Sequence, residues 1–265
     1  MKKVLIADPL ASTVTPVFNW VAGTGNLSFA DAWLATINYT VQLYFDFSGY
    51  SDMAVGLGLL FGFQLPFNFN IPYIAKSISE FWLRWHLTLS RFLRDYLYIP
   101  MGGSRHGLSR QMLVLFITMF LAGLWHGAGW TYAVFGILHG LALCTNHLWR
   151  KAGFRLPAPI AWLTFMTFFI TSLAIFRSAN IATAMIMVKS MYGLEGLSLS
   201  TIGDYNAGLL IAGILISMFG PTSQDVVYEK LRPHPLLAMA FSIAAIYTVM
   251  TIGNHGYTEF IYFQF

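Results

Sequence analysis

Gln111-Met112-Leu113-Val114-Leu115-Phe116-Ile117-Thr118-Met119-Phe120-Leu121-Ala122-Gly123-Leu124-Trp125-His126-Gly127 carries no charged side chain apart from the titratable imidazole near its end. A second apolar run, 129–149, follows after a single residue. A membrane-spanning helix needs about 20 mostly apolar residues. The pair therefore predicts a transmembrane hairpin whose tip holds Trp125, His126 and Trp130. Further candidate spans cover 33–62, 157–176, 205–220 and 235–253. The opening stretch Val4–Val21 is weaker, because Asp8, Pro9 and Pro16 interrupt it. It also lacks the pattern of a cleaved signal peptide. The expected fold class is all-α, a polytopic transmembrane helical bundle, with residues 1–265 forming one domain.

Composition agrees. Of 265 residues, 57% are hydrophobic and 10% charged, whereas a soluble domain is about a quarter charged. The net charge of +4 sits in short loops, so it points to membrane topology and excludes nucleic acid as a partner. Lys2/Lys3, Arg105/Arg110, Arg150/Lys151/Arg155 and Lys230/Arg232 are the basic clusters, expected on the cytoplasmic side. Both ends of the 111–149 hairpin then face the cytoplasm, and His126 lies within the bilayer. The lone Cys144 can build neither a disulfide framework nor a thiolate metal site.

An ionisable side chain inside a membrane is costly and is read first as a functional-site candidate. Gly123, Gly127 and Gly129 around His126 allow close backbone approach and leave room for a substrate. A neutral imidazole there can take a proton from a hydroxyl and return one to a leaving group. The alternative is a buried histidine bonded to a carbonyl between helices. Residues Lys76–Tyr98 place Glu80, Arg84, Thr88, Arg91 and Asp95 on one side of a helical wheel, and Trp82, Trp85, Leu89 and Leu93 on the other. That segment predicts one amphipathic helix, interfacial or re-entrant, with His86 on its apolar side. His126, His139 and His147 match no familiar zinc spacing, so no metal is expected. Asp46 and Asp52 are expected to pair with Arg84, Arg91 or Arg94, or else to meet substrate hydroxyls. The loop Tyr98–Arg105 is compatible with an anionic ligand or with simple anchoring.

Five segments occur in order: Tyr44-Phe45-Asp46-Phe47-Ser48-Gly49-Tyr50-Ser51-Asp52, Leu65-Pro66-Phe67-Asn68-Phe69, Phe81-Trp82-Leu83-Arg84-Trp85-His86-Leu87-Thr88-Leu89-Ser90, Leu93-Arg94-Asp95-Tyr96-Leu97-Tyr98-Ile99-Pro100-Met101-Gly102-Gly103 and Leu124-Trp125-His126-Gly127. Together they resemble the membrane-bound O-acyltransferase family, on the branch of bacterial alginate O-acetyltransferases. The closing Glu259-Phe260-Ile261-Tyr262-Phe263-Gln264-Phe265 is similar to that branch's C-terminus. By this resemblance His126 corresponds to the catalytic histidine and His86 to a second recurrent one. Trp125, Trp130, Trp85 and Asp46 are candidates for lining a substrate tunnel. The implied reaction moves an acyl group, with acetyl favoured, from a cytoplasmic thioester donor such as acetyl-CoA or an acyl carrier protein. The donor is a substrate, so no bound cofactor is expected. The acceptor is an exported polysaccharide or an acetyl-relay protein, and the setting is membrane lipid of the bacterial cytoplasmic membrane. A D-alanyl donor is the variant within the family.

The opening Met1–Asp8 resembles an interior segment of such enzymes, so further helices are expected before it. Two other readings stay open: an inactive scaffold for an acetylation complex, and a transporter. The absence of a visible inverted repeat weighs against the transporter.

Overall fold

The computed structural model describes residues 1–230 and 234–255. Arg232 and the segment Glu259–Phe265 lie outside the described residues. Every regular element among them is helical. In order these are α1 (Lys2–Thr24), α2 (Phe29–Leu60), α3 (Ile78–Trp82), α4 (Leu87–Leu93), α5 (Leu108–Trp125), α6 (Trp130–Lys151), α7 (Ala158–Arg177), α8 (Ile181–Met191), α9 (Ala207–Phe219) and α10 (Pro235–His255). Four are long and apolar enough to cross a membrane: α1, α5, α7 and Pro235–Ile252 of α10.

The expected spans 33–62 and 129–149 form α2 and α6, which are not among these four, and two further expectations change. The interrupted N-terminal run is one continuous helix. Pro9 sits where the wide opening turns Lys2–Ala7 pass into α-helix at Asp8, and Pro16 is carried within it. The predicted span 205–220 is a helix of only 13 residues, which at about 1.5 Å per residue is near 20 Å. That is short of a hydrocarbon core of about 30 Å. Asn206 starts it by accepting from the Leu209 N–H at 2.9 Å, and Gly220 closes it.

Helix α2 is the axis of the bundle, packing against α1, α7, α8 and α9. Ser28 caps it, accepting from the Asp31 N–H at 2.9 Å. The buried Asp31 carboxylate in turn gathers the backbone N–H groups of Ile202 and Gly203 and the Tyr205 hydroxyl at 3.0 Å. This pins the 192–206 connection over the start of α2. Burial, reinforced by the Asp31 charge, holds the Tyr205 phenol protonated well above its ordinary range.

Lipid tails are as apolar as leucine, so helix association in a membrane rests on close packing and interhelical hydrogen bonds. Both are present. Tyr44, Phe47, Phe69, Tyr73, Phe81 and Phe169 interlock around Trp85, with Phe81 and Trp85 stacked at 5.6 Å. Trp33 donates to the Met191 carbonyl at 2.7 Å, and Trp162 to that of Tyr73 at 2.8 Å. Helices α5 and α6 form the closest pair. A Cβ on Gly136 would stand 2.7 Å from the Met119 carbonyl oxygen, and one on Gly123 2.7 Å from the Gly136 Cα. Only glycine permits that approach. Across the same interface Cys144, half-buried, donates to the Met112 carbonyl at 3.3 Å.

Candidate active site

The α5–α6 hairpin presents His126. The residue is the C-cap of α5 in ordinary helical conformation, and its N–H bonds the Gly123 carbonyl at 3.1 Å. Its half-buried ring is cradled edge-on by Phe176 of α7 at 5.1 Å, Trp125 at 5.1 Å and Phe135 of α6 at 6.3 Å. With 18 residues at about 1.5 Å each, α5 extends about 27 Å. His126 therefore stands about 27 Å along the axis from the start of α5 at Leu108.

The expectation of one amphipathic helix over Lys76–Tyr98 fails at His86. Helix α3 ends at Trp82, and α4 begins at Leu87, continuing as wide turns over Arg94–Tyr98. Between them His86 adopts the left-handed conformation, φ 45° and ψ 55°. Histidine visits this region more readily than most residues, at a cost of order 1–3 kcal/mol. The surrounding structure holds it there. The extended segment 63–70 runs alongside the break, with the Leu87 N–H donating to the Asn68 carbonyl at 3.1 Å and the Asn70 N–H to the Arg84 carbonyl at 2.9 Å. The Asn68 side-chain oxygen accepts from the Thr88 N–H at 3.1 Å and the Thr88 hydroxyl at 2.6 Å.

This break turns the His86 ring towards Phe47 of α2, at 4.7 Å, and Trp125 of α5, at 6.3 Å. The two candidate histidines thus meet the same indole. His86, Thr88 and Trp125 border an open groove of about 530 Å³ whose other walls include Leu89, Phe92, Leu97 and Leu121. The arrangement offers an imidazole and a hydroxyl at the edge of an elongated apolar trough, with a second imidazole behind the shared tryptophan.

The remaining candidates separate. Trp125 is 59% exposed and lines the groove. Trp130 opens α6 at 76% exposure and does not border the groove. Trp85 is only 5% exposed and belongs to the aromatic core. Asp46 and Asp52 do not pair with the arginines of the 76–98 segment. Arg84 is bound to Glu80 at 3.0 Å and Arg94 to Asp95 at 2.7 Å. The carboxylates instead meet α1: Lys3 bonds Asp46 at 2.8 Å and also Asp8 at 3.1 Å, while Lys2 bonds Asp52 at 2.7 Å. Arg84 and Arg94 are thus taken up by their own neighbours, and the lysines at the head of α1 serve the α2 carboxylates.

The two pairs differ in burial, and this sets a testable asymmetry. Lys3→Leu removes the ammonium beside a buried carboxylate and is expected to cost about 3 kcal/mol. Lys2→Leu breaks a more open pair and should cost under about 1 kcal/mol. Thermal unfolding in detergent compares them; equal losses would show that burial of Asp46 does not govern the pair.

His139 is fully buried and structural. Its Nε2 lies 3.0 Å from the Ser172 hydroxyl. Ser172 already donates its proton to the Phe169 carbonyl at 2.7 Å, so Nε2 must carry the hydrogen. Among the described residues, no three His, Cys, Asp or Glu side chains come together as a metal site. Asn68 and Thr88 were not among the sequence-derived site residues. Asn68 stands in a quoted segment, yet nothing in its spacing tells that it reaches the histidine turn.

Membrane-length apolar helices, a buried ion pair and two histidines set against one tryptophan mark a polytopic membrane protein. The family model for membrane-bound O-acyltransferases matches residues 7–187. The chain belongs to that family. A peptidoglycan O-acetyltransferase of Helicobacter pylori is 46% identical over 205 residues, 75% of this chain and 38% of that protein. A "probable alginate O-acetylase" of Azotobacter vinelandii is 35% identical over 303 aligned positions, covering 100% of this chain and 60% of that protein. A teichoic acid D-alanyltransferase of Bacillus subtilis is 35% identical over 143 residues, 50% of this chain and 36% of that protein. The chain thus spans less than two thirds of the length of each of these relatives.

Proposed function

We propose that this chain carries the catalytic core of an O-acyltransferase. It moves an acetyl group from a thioester donor at the cytoplasmic face to a hydroxyl of an exported polysaccharide or of a relay protein. The setting is the bacterial cytoplasmic membrane, and residues 1–265 act as one domain. The observation that carries this reading is the convergence of His126 and His86 on Trp125 beside an apolar trough.

In this mechanism neutral His126 accepts the acceptor's hydroxyl proton as that oxygen attacks the thioester carbonyl carbon. The C–O bond forms, the C–S bond breaks, and the proton passes to the departing sulfur, releasing a free thiol. His86, on the groove wall, holds the acceptor hydroxyl or the thioester arm. Trp125 separates the two imidazoles and lines the approach. Trp130 is at most a rim contact, and the roles of Trp85 and Asp46 are to support the fold around the site.

Acetyl is favoured over D-alanyl because the O-acetyltransferase relatives align over more of the chain and, in the Helicobacter case, at higher identity. Membranes containing the protein, supplied in parallel with labelled acetyl and D-alanyl thioesters, test this directly. Acetyl label on the acceptor is the expected result. D-alanyl label alone would reassign the donor. Neither label, with partner binding intact, would favour a scaffold.

A further inference from the structure

We propose that Thr88 and Asn68 are positioning residues that decide which nitrogen of His86 carries its hydrogen: Nδ1 is protonated, and Nε2 keeps the lone pair. The inference deepens the reading of His86 as part of the transfer site. It follows from hydrogen-bond valence along a short chain of groups.

The Thr88 backbone N–H donates to the Asn68 side chain at 3.1 Å. An N–H cannot donate to an amide nitrogen, so the atom facing it is the carbonyl oxygen. The Asn68 amide nitrogen points the other way, to the Ser51 hydroxyl of α2 at 3.3 Å. The same Asn68 oxygen lies 2.6 Å from the Thr88 hydroxyl. An amide oxygen only accepts, so the hydroxyl spends its single proton there. Thr88 Oγ1 is also 3.4 Å from His86 Nδ1, and with its proton committed it can only accept. For this contact to be a hydrogen bond Nδ1 has to be the N–H, which leaves the neutral ring's lone pair on Nε2.

The backbone supports the same arrangement. Asn68 accepts from Leu87 through its carbonyl and from Thr88 through its side chain, so one residue both sustains the left-handed turn at His86 and orders the relay. The consequence is chemical. Nε2 can accept a hydrogen bond from a hydroxyl entering the groove, and so hold it, which an Nε2–H ring could not do.

The test is nuclear magnetic resonance of the full chain in lipid bilayers, with labelled histidine and the His86 resonances assigned by their loss in His86→Gln. The wild type should show neutral His86 as the Nδ1–H tautomer. Thr88→Val, which keeps the shape and removes the hydroxyl, should release that preference, and Thr88→Ser should restore it. In parallel, kcat/KM should fall about tenfold in Thr88→Val and recover in Thr88→Ser. An Nε2–H tautomer in the wild type would overturn the proposal, as would a tautomer unchanged in Thr88→Val. The spectrum requires no turnover. If transfer were absent while the Nδ1–H preference followed the hydroxyl, the relay would stand and the acyltransferase reading alone would fall.

Discussion

Alanine at His126 is expected to abolish acyl transfer, lowering the rate by at least about 10²–10⁴-fold, the usual contribution of a positioned proton-transfer group. The protein should still insert and fold. His126 caps α5 at φ −72° and ψ −20°, a conformation alanine adopts freely, and its backbone bond to Gly123 does not involve the ring. What alanine removes is the imidazole between Phe176, Trp125 and Phe135. His139→Ala is the matched comparison, because that ring is also buried beside Phe135, at 4.1 Å, but serves Ser172. Its loss should lower stability through a vacated hydrogen bond and cavity without a comparable effect on chemistry per folded molecule. Transfer assays normalised to folded protein separate the two. Activity in His126→Ala within tenfold of wild type would remove this histidine from the reaction.

The contrast between these histidines shows what the linear sequence can and cannot convey. The hairpin was legible, because an apolar run, a glycine-rich break and a second apolar run are local features: 111–127 and 129–149 became Leu108–Trp125 and Trp130–Lys151. His86 and His126 stood out through their unusual flanking residues, and the fold sets both rings against Trp125. The turn at His86 was not. No glycine or proline marks it, and the wheel drawn through Lys76–Tyr98 assumed continuity. The break is sustained by Asn68, whose carbonyl and side chain bind Leu87 and Thr88 only once the 63–70 segment lies alongside. The partner of Asp46 was hidden for a similar reason. Several cations were available by composition, and the choice of Lys3, 43 positions away, follows from how α1 docks on α2. Local patterns thus delimit the helices, whereas the hydrogen-bonding shell of the site is a product of packing.

The same dependence makes the α5–α6 contact the most sensitive structural element of the proposed site. Gly136→Ala is expected to be strongly destabilising although it adds one methyl group. The new Cβ would lie 2.7 Å from the Met119 carbonyl oxygen and 3.0 Å from that of Phe120. Both are backbone atoms within α5 and cannot rotate aside as a side chain would. Relief requires the helices to part, for which overpacking costs of about 1–3 kcal/mol are a lower guide. Parting also moves His126, which α5 carries, relative to Phe135 on α6. A displacement of about 1 Å can itself cost on the order of 10²-fold in rate. Gly56→Ala on α2 is the control, since nothing lies within 4 Å of a Cβ there, and alanine's helix propensity should make it neutral or slightly stabilising. Thermal unfolding in detergent, with transfer measured on the fraction that stays folded, reads both effects. Stability of Gly136→Ala equal to that of Gly56→Ala would mean that the hairpin is not held at this spacing, and the placement of His126 would then need another cause.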